Sequence, residues 1–362
     1  MRKLYYLLVF ISIFFTLVYI FSSNNDEPTK FLKPNLEPKR VLMYTKYFTT
    51  DNMYLFDRCK PINCEFTRDK KLFSKSDGVV FHFADIAPDD IPKKAFPEQK
   101  FVYFSLESPF STIGRYSPKN YFNWLMSYNN KSDVTFEYGS KWIETDTKVV
   151  KHNYTDKVLS TKKNEGIIGY ISNCYTNSAR GQIIDKLKKH INVTVYGKCT
   201  NLHDGCKVED YNCEEKIINN YYFFFALENA VCNNYITEKY WKRYTFDSVP
   251  IVMKRHIYTD VGIPNSSFIA VDDFKSSLDM SNYLKYLITN PKEYMKYFEH
   301  RNSNWKVIES EKYDLVNGIC NLCTKLREKM DDNKVIDNVD NLYASINQCV
   351  SRDVMYKFAE TF

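Results

Sequence analysis

Short β-branched and aromatic runs recur along the chain, separated by polar stretches. Val41–Tyr47, Gly78–Phe83 and Lys100–Leu106 read as buried strands. A second series follows at Ile167–Ile171, Val193–Tyr196, Tyr221–Leu227 and Val249–Met253. Between them the segment from Ser178 to His190 has helical spacing, with Ile183, Ile184, Leu187 and then Ile191 on one face. Thr237 stands where it caps a helix running through Trp241 and Tyr244. Strand–helix alternation of this kind predicts parallel sheets covered on both faces. Two series, joined by a polar segment around Lys148 to Glu165, predict an α/β protein of two Rossmann-like domains with a cleft between them.

The hydrophobic pattern breaks from this rhythm at the start. Met1, Arg2 and Lys3 precede an unbroken apolar and aromatic run from Leu4 to Phe21, near the lower length limit for crossing a hydrocarbon core. Arg2 and Lys3 then stay cytoplasmic and the rest is lumenal. A cleaved signal peptide is the competing reading, but its apolar stretch is usually shorter and no clean small-x-small site follows. Residues 22–40 carry Asn, Asp, Glu, Lys and prolines with little apolar period, as a stem does. The expected organisation is a tail at 1–3, an anchor at 4–21, a stem at 22–40, and domains at 41–155 and 156–310. A C-terminal segment with the CxxC follows at 311–362 and is expected to pack back on the first domain.

Composition sharpens the compartment more than the chemistry. The 362 residues include 29 Tyr and 26 Phe against 10 Gly and 12 Pro, which excludes collagenous and disordered classes. The formal charge of +6 is spread without a basic block, so a nucleic-acid partner is not expected. Asn130, Asn153, Asn192 and Asn265 each open an N-glycosylation acceptor pattern. Ten cysteines, an even number, suit an oxidising lumen. Cys320 and Cys323 form a CxxC pair, but no second CxxC or HxxxH accompanies it, so disulfides are the better reading than zinc. Cys174, Cys199, Cys206, Cys213 and Cys232 are likewise read as bridges rather than as a thiol site.

In doubly wound sheets, ligands bind beyond the carboxyl ends of the strands. Three polar clusters follow predicted strands there: Glu107-Ser108-Pro109; Ser172-Asn173-Cys174 with Arg180; and Glu228-Asn229 with Tyr235 to Lys239. A lysine in the first turn of a helix opposes the macrodipole, by about 0.3–1 kcal/mol. Either Glu238 neutralises Lys239, or Lys239 and the helix N-terminus together face an anion such as a diphosphate. The sequence contains no Asp-x-Asp, no Gly-x-Gly-x-x-Gly and no Walker loop. Without a metal-holding motif, a leaving group's charge falls to fixed cations and dipoles, with Arg180 and Lys239 as candidates.

These stretches resemble the α1,3/4-fucosyltransferases of glycosyltransferase family ten. Phe225-Ala-Leu-Glu-Asn-Ala-Val-Cys-Asn-Asn-Tyr-Ile-Thr-Glu-Lys239 with Val249-Pro-Ile-Val252 is similar to the family's donor-binding signature. Phe101-Val-Tyr-Phe-Ser-Leu-Glu-Ser-Pro109 resembles its acceptor-side motif, and Phe122-Asn-Trp-Leu-Met-Ser-Tyr128 with Ser132-Asp133 and Tyr138-Gly139 the segment after it. Ser172-Asn-Cys with Arg180, Tyr196-Gly-Lys198 and Ser267–Phe274 fall in family order, so the likeness runs from about residue 41 to 325.

The resemblance implies a GT-B fold, acceptor domain first, and a Golgi membrane enzyme of single-pass type II. Such an enzyme transfers fucose from GDP-fucose to an N-acetylglucosamine-containing glycan, on glycoprotein or glycolipid, with inversion. It implies Glu107 as general base and Glu238 near the developing oxocarbenium charge. Asn173, Arg180, Tyr196, Lys198, Glu228, Asn229, Tyr235 and Lys239 become donor-binding residues, with Arg180 and Lys239 on the diphosphate. No cofactor or metal is required, although a divalent cation can stimulate. It also implies that Cys320 and Cys323 pair with Cys59 and Cys64, in an order the sequence leaves open. Three departures stand out: Ala230 where the family usually has Ser, Asn129-Asn130 in place of a basic pair, and Lys254 where a small Gly is frequent. An inactive relative that binds glycan or GDP-fucose is the alternative reading. The acceptor, N-glycan core or terminal lactosamine type, is open.

Overall fold

The computed structural model describes residues 37–49, 63–139, 141–144, 154–207, 210–302, 305–308, 316–328 and 334–362, with 141–144 and 305–308 as backbone only. The expected anchor at 4–21, most of the stem, Cys59 and Asn153 lie outside the described residues. Among the described residues no helix is long and apolar enough to cross a membrane.

Two parallel sheets form the frame. The first contains β1 (Lys39–Met43), β2 (Cys64–Thr67), β3 (Gly78–His82), β4 (Lys100–Ser105), β5 (Trp124–Ser127) and β6 (Val134–Thr135), in the order β2-β1-β3-β4-β5-β6. After a short strand β7 (Lys141–Glu144), the second is built from β8 (Asn164–Tyr170), β9 (Asn192–Tyr196), β10 (Tyr221–Phe225), β11 (Val249–Val252) and β12 (Ile269–Ala270). Its order is β12-β11-β10-β8-β9. Each sheet reverses direction beside its first strand, which opens a crevice at the carboxyl ends there. A last strand, β13 (Trp305–Ile308), pairs antiparallel with β7, so the two connections between the sheets run side by side.

The central strands are buried on both faces, as apolar runs of this length require. Every residue of β3 and β11 is buried. β1 starts two residues ahead of the expected position because Lys39 and Arg40 find outward partners in Asp77 and Glu65. It ends at Met43, short of Tyr47. The predicted helical face is present in the helix Arg180–Leu187, where Ile183, Ile184 and Leu187 are buried. The helix expected through Tyr244 is shorter, Glu238–Trp241. The Arg301 guanidinium takes the carbonyls of Tyr244 (2.7 Å), Thr245 (3.1 Å) and Phe246 (2.7 Å), which holds that stretch as a turn.

The C-terminal segment departs from expectation in its second half. The helix Val316–Arg327 does pack on the first sheet, and Cys323 is bonded to Cys64. Cys320 is also disulfide-bonded. Residues 334–347 still pack on the first domain, but beyond them the chain crosses to the second. The helix Arg352–Thr361 packs on the helix Arg180–Leu187, and the Ser277 amide donates to the Phe362 carbonyl at 2.6 Å. Its buried Met355 and Ala359 belong to the second core, which is why the segment cannot serve the first domain alone. Disulfides Cys174–Cys199, Cys206–Cys213 and Cys232–Cys349 complete the described cysteines. Asn130, Asn192 and Asn265 are all exposed.

Candidate active site

Arg180 is set by a cross-brace between two loops of the second sheet. The loop after β8 lies beside the loop after β10, and residues 178–180 reach across. Ser178 donates its amide to the Asn229 carbonyl (3.1 Å) and its hydroxyl to the Glu228 carbonyl (2.7 Å). The Arg180 guanidinium donates to the carbonyls of Leu227 (2.7 Å) and Asn173 (2.9 Å). Ala179 takes a left-handed φ of 54° to allow this, a conformation that costs an L-residue about 1–2 kcal/mol. Two buried atoms are left over: Nε of Arg180 and Oδ1 of Asn229 have no hydrogen-bond partner. A buried polar group without a partner costs about 1–3 kcal/mol, and a ligand that reaches it recovers that cost. Burial also lowers the Arg180 pKa, with Glu228 opposing it.

Next to this brace, Lys239 is held between carboxylates. Its ammonium lies 3.2 Å from Glu228, 3.0 Å from Glu238 and 3.0 Å from the Thr237 hydroxyl. Thr237 caps the helix as its spacing predicts, and donates both its amide (2.8 Å) and its hydroxyl (2.9 Å) to Glu228. Burial pushes the Glu228 carboxyl up, with Lys239 and Thr237 working against it. Burial also opposes ionisation of Glu238 and Lys239, but their attraction outweighs it. The Glu238 pKa ends low, helped by Lys239, and that of Lys239 ends high, helped by Glu228 and Glu238. The pairing reading of Lys239 therefore describes this arrangement. The helix has a single turn, too short for a macrodipole to matter.

Glu107 sits at the carboxyl end of β4 inside a cage of tyrosines. Tyr138 donates its hydroxyl to the Leu106 carbonyl at 2.6 Å, and Tyr343 donates to the Glu107 carbonyl. Tyr235 comes from the loop of the other sheet and reaches Glu107 Oε2 at 3.4 Å, a long contact. Its ring lies 4.9 Å from that of Tyr128. Burial holds the phenols of Tyr128, Tyr138 and Tyr235 far above their ordinary range, so all three stay neutral. The Tyr235 hydroxyl is the donor seen on the carboxylate, and a carboxylate among neutral phenols can accept a proton from a bound hydroxyl.

The structure thus joins Glu107 to Tyr235, groups Lys239 with Glu228 and Glu238, and braces Arg180 on the loop that carries Glu228 and Asn229. Asn173 contributes its carbonyl to Arg180 but its side chain is exposed. Tyr196 and Lys198 stand one strand further out, at the end of β9 and just beyond it. Cys174–Cys199 ties their loop to that of Asn173. Gly197 between them has φ 115° and lies against the Ile171 carbonyl, where a Cβ would meet the oxygen at 2.6 Å. Only glycine fits there.

Sequence reasoning overlooked one residue that holds the site and one buried polar group near a neighbouring strand end. Tyr343 acts through a carbonyl and belongs to no motif. His82, at the end of β3, bonds Asp85 at 2.6 Å and leaves Nε2 buried without a partner. A polar residue closing an otherwise apolar strand was the available signal.

A carboxylate on one sheet's edge, facing buried cations on the other's, is an arrangement suited to transfer of a group from an anionic leaving group. It marks the protein as a two-domain transferase. Residues 160–342 match the family described as glycosyltransferase family 10 (fucosyltransferase), C-terminal part, and residues 36–139 match the fucosyltransferase N-terminal family. The chain belongs to glycosyltransferase family 10. It is 32% identical over 305 residues to alpha-(1,3)-fucosyltransferase fut-1 of Caenorhabditis elegans, covering 81% of this chain and 67% of that one. It is 30% identical over 277 residues to human 4-galactosyl-N-acetylglucosaminide 3-alpha-L-fucosyltransferase FUT6, covering 74% and 72%. A crystal structure of an alpha1,3-fucosyltransferase with GDP-fucose shares the fold at TM-score 0.52 and 17% identity, over 85% of this chain and 95% of that one.

Proposed function

We propose that the protein is an inverting α1,3-fucosyltransferase. In this reading it moves L-fucose from GDP-fucose to an N-acetylglucosamine-containing glycan. The acceptor hydroxyl attacks the anomeric carbon of fucose as Glu107 takes its proton. The bond from that carbon to the diphosphate breaks on the opposite face, and GDP leaves with the electron pair. Arg180 and Lys239 meet the charge on the diphosphate, so no metal is required of the mechanism. Glu238 lies near the developing positive charge of the sugar. Asn229, Glu228, Tyr235, Asn173, Tyr196 and Lys198 surround the rest of the donor.

The observation that carries this reading is the contact between Glu107 and Tyr235. It joins the acidic edge of the first domain to the loop that holds Lys239 in the second. The departures from the family pattern have packing explanations. Ala230 is buried in the first domain's core, where a hydroxyl would lack company. Asn129 is buried and donates to Ile346 and Asn347. The Lys254 ammonium lies over the Phe358 ring at 5.6 Å. None of the three touches Glu107. The apolar run at 4–21, the glycosylation patterns and the disulfides support a Golgi membrane protein with a lumenal catalytic part.

The test is GDP release from GDP-fucose on addition of a β-linked N-acetylglucosamine acceptor, with and without a chelator. Glu107→Gln should lower turnover by about a hundredfold or more. Undiminished turnover in that variant would remove Glu107 from the role. GDP-fucose binding without transfer to any acceptor in a broad panel would favour a binding module instead.

A further inference from the structure

The catalytic segment is held by a part of the chain that runs across the end of the matched family region at residue 342. Residues 334–350 run first along the domain that carries Glu107. The Asn123 amide donates to the Lys334 carbonyl (2.7 Å), and the Ile336 amide to the Phe122 carbonyl (2.8 Å). The Asn120 amide donates to the Asp337 carbonyl (2.9 Å), and Ser117 bonds Asp340. The helix Val339–Asn347, capped by Asn338, then carries Tyr343 under Glu107. At its far end the helix meets the donor-side loop. Asn233 donates its amide to the Asn347 carbonyl (2.8 Å), Val350 donates to Val231 (2.8 Å), and Cys349 is bonded to Cys232. Asn129 of the first domain reaches Asn347 Oδ1 at 3.1 Å. One helix therefore touches the Glu107 segment at its middle and the Glu228–Lys239 loop at its end.

Glu107 lies beyond the last ladder bond of β4, so its carbonyl has no strand partner. Among the described residues its other donor besides Tyr343 is the Ser105 hydroxyl, at 3.4 Å. Tyr343 is fully buried, and its phenol is pushed far above the ordinary range by burial, so it donates at any working pH. A reacting carboxylate has to be held within about 0.5 Å of its productive position, and a misplacement of about 1 Å can cost a hundredfold.

We propose that Tyr343 is a positioning residue for fucosyl transfer, fixing the Glu107 backbone relative to the donor loop through the helix that carries both contacts. The proposal rests on the reading of Glu107 as the base. Among the described residues the Tyr343 hydroxyl donates to the Glu107 carbonyl and makes no hydrogen bond to the donor-side loop, so its loss should fall on turnover and leave donor binding alone.

The experiment compares full-length wild type, Tyr343→Phe and Glu107→Gln in steady-state kinetics, with GDP binding by calorimetry on each. Tyr343→Phe keeps the ring and removes only the donor. Its kcat should fall about tenfold, the size of one lost hydrogen bond of about 1.4 kcal/mol, with KM for GDP-fucose and the GDP affinity within twofold of wild type. An unchanged kcat overturns the proposal. A fall in GDP affinity that matches the fall in kcat also overturns it, because that is what general loosening of the fold produces. If wild type transfers no fucose, or Glu107→Gln is fully active, the underlying reading fails and takes this proposal with it. Retained GDP binding shows in each case that the protein is folded.

Discussion

The two edges of the crevice are built differently. On the first domain the backbone around Glu107 is held by Tyr138 on the Leu106 carbonyl and Tyr343 on the Glu107 carbonyl, while Tyr235 reaches its carboxylate from the second domain and the Tyr128 hydroxyl and His82 Nε2 have no hydrogen-bond partner. On the second, Arg180 and Asn229 keep buried atoms with no partner, and Lys239 is shared between two carboxylates. A reacting group whose backbone is held in place is preorganised and loses little when it acts. An unmet guanidinium and amide beside a strand end store free energy that a polar ligand recovers. The first edge is therefore arranged for chemistry, and the second for holding the donor.

Substitutions should separate the two. After Glu107→Gln, the largest effect is expected at Arg180. Arg180→Lys keeps a charge but loses the planar fork that spans two carbonyls. KM for GDP-fucose should rise by about ten- to a hundredfold, against a smaller change in kcat, as steady-state kinetics would show. A change confined to kcat would place Arg180 on the chemical side.

An intermediate effect concerns pH. Burial lowers the His82 pKa below 6.5, partly offset by Asp85, so the folded protein favours the neutral ring. The unfolded chain then binds the proton more readily. The stability this ring contributes is full above about pH 6.5 and is lost as pH falls from there through the folded pKa. Tm should drop between pH 7 and pH 5, and less steeply in His82→Gln. Equal slopes would exclude His82 as the source.

The smallest effect is expected at Ala230. Ala230→Ser restores the common family residue but buries a hydroxyl beside apolar neighbours, at a cost of about 1 kcal/mol. A melting curve should detect that loss while activity stays near wild type.

The contrast between the edges also explains what could be read from the chain. Strands such as Gly78–His82 and Val249–Val252 were legible because burial on both faces leaves continuous apolar runs. Cys64–Thr67 escaped because an edge strand, only half-buried, shows no such run. Glu107, Arg180 and Lys239 announce themselves as polar residues just beyond strand ends. The groups that hold Glu107 do not. Tyr343 and Asn347 act across more than two hundred positions of sequence, on a backbone carbonyl and an amide, and no spacing rule encodes such a partner. The crossing of the C-terminal segment to the second domain was hidden for a similar reason. The CxxC pair fixes one end of that segment, and nothing nearby in sequence marks where the other end docks.

The division between a chemical edge and a binding edge is tested most directly by measuring GDP affinity and turnover together on Glu107→Gln. The account predicts a dissociation constant for GDP within about twofold of wild type beside a turnover loss of about a hundredfold or more. Loss of GDP affinity in proportion to loss of turnover would contradict it.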